Sequence, residues 1–219
     1  MAYLYLIPNW FFGFGVAMEI LFGVVAAAVA GVSFYLYHIS REKALRHLGV
    51  AFLLIALSYG IWASMNIFVA STTHQEIREV SLENLALLGT LGFYAHMILF
   101  VSGLVTLTYI TFKLKKGGVY YVMLGLSLLV LAASVNKLIT FRILSIFLLS
   151  FIIYHYFFEW KASRNQRTLQ ICISLFLLLC SNIDFLFVAY YYPAFIIGHF
   201  VELGAYLLML LSLMQTIKR

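Results

Sequence analysis

The amino-acid sequence predicts an all-α, polytopic membrane protein: seven transmembrane helices folded as a single domain over 1–219, N-terminus outside and C-terminus in the cytoplasm. Three observations lead there. The 219 residues are 64% apolar and 10% charged, so a soluble particle would have too few polar side chains to cover its surface. The apolar residues gather into windows of about 20, the length a helix needs to cross the hydrocarbon layer. The basic residues fall in alternate short breaks between those windows, the pattern that sets membrane orientation.

The first window, 10–37, follows a start that lacks basic residues and an A-x-A-like cleavage site, so it reads as a retained helix. The second, 48–70, follows Arg41, Lys43 and Arg46, and the third, 85–112, follows a polar stretch with Glu76, Arg78, Glu79 and Glu83. The fourth and fifth, 119–135 and 143–158, are short for a full crossing and separated only by 136–142, which a helical hairpin explains. The sixth, 169–190, follows Lys161, Arg164 and Arg167. Tyr190, Tyr191, Tyr192 and Pro193 form an aromatic belt before the seventh, 194–216.

Of the 14 Lys and Arg, 11 lie in the odd-numbered loops and at the C-terminus, which the positive-inside rule assigns to the cytoplasm. Lys137 and Arg142 are exceptions. The chain is thus expected to be a multi-pass protein of the cell membrane. A net charge of +6 spread over short loops is a topology signal and excludes a nucleic-acid footprint. Cys172 and Cys180, eight apart in one apolar segment, are too far apart on a helix to bridge. Loops this short leave function to the helices, to the loops themselves, or to a cytoplasmic or membrane partner protein; membrane lipids are the other expected partner, and a homo-oligomer is open.

A repeat is also expected. Arg41 lies 17 residues before Ser58 and Arg164 lies 17 before Ser181; His96 lies 19 before Lys115 and His199 lies 19 before Lys218. These spacings suggest parallel three-helix units, 10–116 and 143–219, joined by a linker helix at 119–135.

Ionisable residues inside a membrane are costly and mark function by default. The candidates are Glu19, His96, Asp184, His199 and Glu202, with Asn66 as a neutral polar companion, all in the outer half of the spans. His199 and Glu202, three residues apart, share a helical face. Gly89, Gly92, His96 and Gly103 are expected to share another, and Gly23, Ala27 and Gly31 a third, both against neighbouring helices. Asp184 is a candidate partner for Lys137 or Arg142. His38, His47 and His74 are expected in loops, and His155 near the inner interface.

No catalytic constellation is present, and the chain reads as a non-enzymatic sensor or receptor module that binds a small ligand or a proton in an outward polar pocket. Transport of a small solute or ion is an alternative, although Pro8 and Pro193 lie outside the spans and provide no helix breaks within them. A haem or transition-metal protein using His96 and His199 is another. The topology is similar to rhodopsins and G-protein-coupled receptors. However, the last helix has no lysine before Lys218 for a retinal Schiff base, and Thr108-Tyr109-Ile110 stands where such receptors carry Asp-Arg-Tyr. Ser33-Phe34-Tyr35-Leu36-Tyr37 and Gly198-His199-Phe200-Val201-Glu202-Leu203 resemble stretches of uncharacterised prokaryotic, particularly archaeal, seven-helix membrane proteins. That resemblance spans helices 1, 2 and 7 and implies the fold without an activity.

Overall fold

The protein is described from a computed structural model covering residues 9–74, 82–112, 117–188 and 193–217. The described residues form seven helices and no strand: α1 (Asn9–Ser40), α2 (Lys43–His74), α3 (Leu82–Thr111), α4 (Gly117–Ala133), α5 (Lys137–Ser163), α6 (Gln166–Phe187) and α7 (Pro193–Ile217). Six are long and apolar enough to cross a membrane; α4, at 17 residues, is shorter but equally apolar. Large apolar side chains point outward along their length, among them Val24, Leu57, Leu91, Leu129, Phe147 and Leu211, as lipid contact requires. The chain is a multi-pass membrane protein. The expected tyrosine belt, the Glu76/Glu79 loop, Lys115 and Lys218 lie outside the described residues.

The helices close a ring. Each of α1, α2, α3, α5, α6 and α7 packs on the next, and α7 returns to α1. Opposite one another across the ring are therefore α1 and α5, α2 and α6, and α3 and α7. Among the described residues α4 touches only α3 and α5, from outside, and buries just Ser127 and Leu131. It is nevertheless required: α3 and α5 are parallel ring neighbours, so the chain must travel back between them.

Local chemistry sets the boundaries. Asn136 caps α5 by accepting from Ile139 N at 3.2 Å, and Lys137 Nζ donates to Ala132 O at 2.6 Å and Ser134 O at 2.5 Å, closing the end of α4. With α5 starting at Lys137, Arg142 lies inside a helix rather than in a loop, and the fifth span begins six residues earlier than the window at 143 suggested. Similarly, His38 and His47 lie within helices, near the α1–α2 turn, and His74 is the last residue of α2 rather than part of a loop. Pro193, which has no N–H to leave unsatisfied, opens α7.

The α1–α2 and α5–α6 turns are built alike. Arg41 (φ 59°) and Arg164 (φ 52°) are the positive-φ non-glycine residues among those described. Arg41 N donates to Tyr37 O at 2.8 Å, and Arg164 N to Trp160 O at 2.7 Å. Glu42 N and Asn165 N donate to Ser40 Oγ and Ser163 Oγ, both at 3.3 Å.

Two expected glycine faces need correction. Gly92 and Gly103 abut Met65 and Ile55 of α2, and Gly23 lies against Tyr59 and Ala56, but space around Gly31 and Gly89 is open and Ala27 is exposed. Steps of four residues advance a helix by about 400°, so a face read at that spacing drifts by roughly 40° per step and turns out to lipid.

Candidate ligand cavity

Every polar group in a membrane helix needs a partner, and most serine and threonine hydroxyls here use their own helix. Ser33, Ser40, Thr108, Thr111 and Ser145 each donate to the carbonyl four residues before, at 2.7 to 2.9 Å. The carboxylates lack a proton to donate in this way when ionised, and they meet donors from other helices at one end of the ring. There a cavity of about 380 Å³ opens, within the size range of small-molecule sites. All six ring helices line it: α1 through Gly15, Val16, Glu19 and Phe22; α2 through Tyr59, Trp62 and Asn66; α3 through Phe93, His96 and Phe100. Leu138, Phe141 and Arg142 of α5, Phe185 and Val188 of α6, and Phe195, His199 and Glu202 of α7 complete the wall. This is the end at which α1, α3, α5 and α7 begin.

The cavity gathers Glu19, Asn66, His96, His199 and Glu202, five of the six candidates. The four ionisable ones are only 3% to 8% exposed. Asp184 stays outside the lining. Its neighbour Phe185, rotated from it by about 100°, faces in instead. Nor does Asp184 pair with a cation: Lys137 caps α4, and Arg142 turns to Asn182, with Nη1 to Oδ1 at 3.2 Å.

Each carboxylate is held by neutral donors. Asn66 Nδ2 donates to Glu19 Oε1 and Oε2 at 3.0 and 2.8 Å, and the Trp62 side chain lies close to the same carboxylate. Tyr59 Oη donates to Glu202 Oε1, and Tyr206 Oη stands 3.4 Å behind it. Buried Ser181 lies close to Glu202 without completing an ordinary bond.

The histidines share a second arrangement. His199 Nδ1 lies 2.8 Å from Phe195 O, and His96 Nδ1 lies 3.2 Å from Ser58 O and 2.7 Å from Ser58 Oγ. A carbonyl only accepts, so Nδ1 of a neutral His199 carries the proton and its Nε2 is left as an acceptor, whereas Nδ1 of His96 faces both a carbonyl and a hydroxyl that can donate to it. Aromatic rings pack around both: Trp62, Tyr59, Phe100 and Phe141 within 6.0 Å of His96, and Phe195, Phe185 and Phe22 within 5.7 Å of His199. The imidazoles stand on opposite helices. Among the described residues no three His, Cys, Asp or Glu side chains group as a metal site would need.

Arg142 is the residue that sequence reading missed. Its guanidinium lies 4.3 Å from the Phe185 ring and 5.2 Å from the Phe141 ring, and its field reaches Glu202 without an ion pair within 4.0 Å. Its departure from the positive-inside count was the available signal. Tyr59 and Trp62 were missed too, although 59, 62 and 66 follow helical spacing on the face that carries Asn66.

Below the cavity, Ala26, Val29, Ile55, Leu104, Tyr206 and Met209 belong to one apolar core. Toward the opposite end lies a void of about 40 Å³ with mainly apolar walls, among them Leu48, Phe52, Ile152 and Leu213. No family model, curated protein or solved structure matches the chain.

Proposed function

We propose that the chain is a receptor-type module of the cell membrane, which binds a small molecule in this cavity and transmits a helix displacement to a partner. The observation that carries the reading is the convergence of all six ring helices on a polar, aromatic-walled cavity of about 380 Å³ confined to one end of the bundle. A ligand touching six helices couples to their relative positions, and a ligand shifts an equilibrium only through such differential contact. The distribution of loop charge supports an orientation with the cavity end outside. The apolar core below it supports sensing over passage, since transport requires a polar path to the other side.

The test is thermal melting of detergent-purified protein against a chemically diverse set of small molecules. Stabilising compounds are expected, with the effect lost in His199→Ala and Trp62→Ala and kept in the lipid-facing control Ile20→Ala. Stabilisation that is equal in all variants, or absent throughout the set, would overturn the reading. A Soret band or stoichiometric metal in the same preparation would favour cofactor ligation by His96 and His199 instead.

A further inference from the structure

We infer that the ligand is an organic monocation, an amine with an apolar or aromatic body, and that Glu19 receives its ammonium group; the inference rests on the cavity being a ligand site. The charges lining the cavity are Glu19, Glu202 and Arg142. Arg142 acts electrostatically on Glu202, which leaves Glu19 as the carboxylate without a matching charge. Glu19 is 8% exposed, bonded by the neutral side chain of Asn66 with Trp62 close by, and no Lys, Arg or His of the described residues lies within 4.0 Å of it. A buried carboxylate in hydrocarbon requires compensation by a positive charge or a proton. Arg142 is on α5, across the ring from α1, and does not supply it at short range.

The surroundings select the kind of cation. A metal ion would need several oxygen or nitrogen ligands converging on it, and no such group exists among the described residues. The wall on the Glu19 side of the cavity is aromatic: Phe22 follows one helical turn later, Trp62 lies close to the carboxylate, and Phe93 packs on Trp62 at 5.6 Å. Aromatic faces beside a carboxylate recognise an ammonium group through the ring quadrupole as well as the charge. Both Glu19 oxygens keep lone pairs beyond those used by Asn66, and Nε2 of His199 adds an acceptor for a further N–H or O–H donor on the ligand. The cavity volume leaves space for a body the size of a single ring and a short chain.

The experiment compares three probes that share one body: phenethylamine, phenethyl alcohol and hydrocinnamate, titrated into purified protein at neutral pH with calorimetry as the readout. The amine is expected to bind on the order of tenfold more tightly than the alcohol, the gain of a charge-assisted bond, and the acid weakest. Glu19→Gln is expected to abolish the preference for the amine while leaving alcohol binding in place, and Glu19→Asp to keep part of it. Equal binding of amine and alcohol to the wild-type protein would mean that Glu19 is compensated by a proton, and would overturn the inference without any variant. Preference for the acid would overturn it in favour of Arg142 as the recognition group. If none of the three binds while unrelated compounds stabilise the protein, the inference fails and the cavity reading stands; if the diverse set also fails, both fall.

Discussion

Tyr59 shows how much one hydroxyl does in this bundle. It donates to Glu202 of α7, receives Tyr206 Oη at 3.4 Å, and packs its ring against Phe22, His96 and Phe100. Tyr59→Phe keeps the packing and removes the donor, leaving Glu202 short of a partner. A loss of about 1–3 kcal/mol in detergent is expected, measured by thermal melting, with most of it recovered when Glu202→Leu is added to remove the orphaned group. Equal loss in the single and double variants would mean that the hydroxyl is not what Glu202 depends on. At this scale the sequence was legible where cost singled residues out: a glutamate or histidine in a membrane helix is visible against apolar neighbours. Trp62 and Tyr59 were hidden because aromatic residues are common throughout the chain, 38 Phe, Tyr and Trp in all, and only the fold separates cavity wall from lipid face.

Among the elements, helix packing and turns make separate demands. A Cβ on Gly103 would stand 2.7 Å from Ile55 Cγ1 and 2.9 Å from Ala51 O, and a backbone oxygen cannot swing away. Gly103→Ala is expected to destabilise the protein by roughly 1–3 kcal/mol, whereas Gly31→Ala, with open space around it, should be neutral or better. Equal melting temperatures for the two would contradict the α2–α3 contact. At the matching turns Arg41 and Arg164 hold a left-handed conformation that costs a side chain energy, so Arg41→Gly and Arg164→Gly should each stabilise by up to about 1 kcal/mol. The two turns share a spacing and a bonding pattern, which is what duplicated units 10–116 and 143–219 would carry, and we propose that duplication on this ground. The start of α5 was not legible, because a charged residue in a window scan ends a span, while Asn136 capping and the cavity hold Arg142 inside one.

For the whole molecule, seven apolar windows and alternating basic loops are sufficient to anticipate a helical membrane bundle, but not which helices form the ring. That α4 lies outside it follows from packing: α4 contacts only α3 and α5 among the described residues and buries just Ser127 and Leu131, and its hydropathy gives no hint of this. The central claim is that the polar cavity is a site reached from outside the cell. It is tested most directly by cysteine accessibility in a background with Cys172 and Cys180 replaced by serine, using a membrane-impermeant thiol reagent on intact cells. Val16→Cys and Val188→Cys, both in the cavity wall, should be labelled from outside and protected by a bound ligand, while Leu213→Cys in the opposite void should stay unlabelled. Labelling of the two wall positions only in inside-out vesicles, or at neither, would contradict the account.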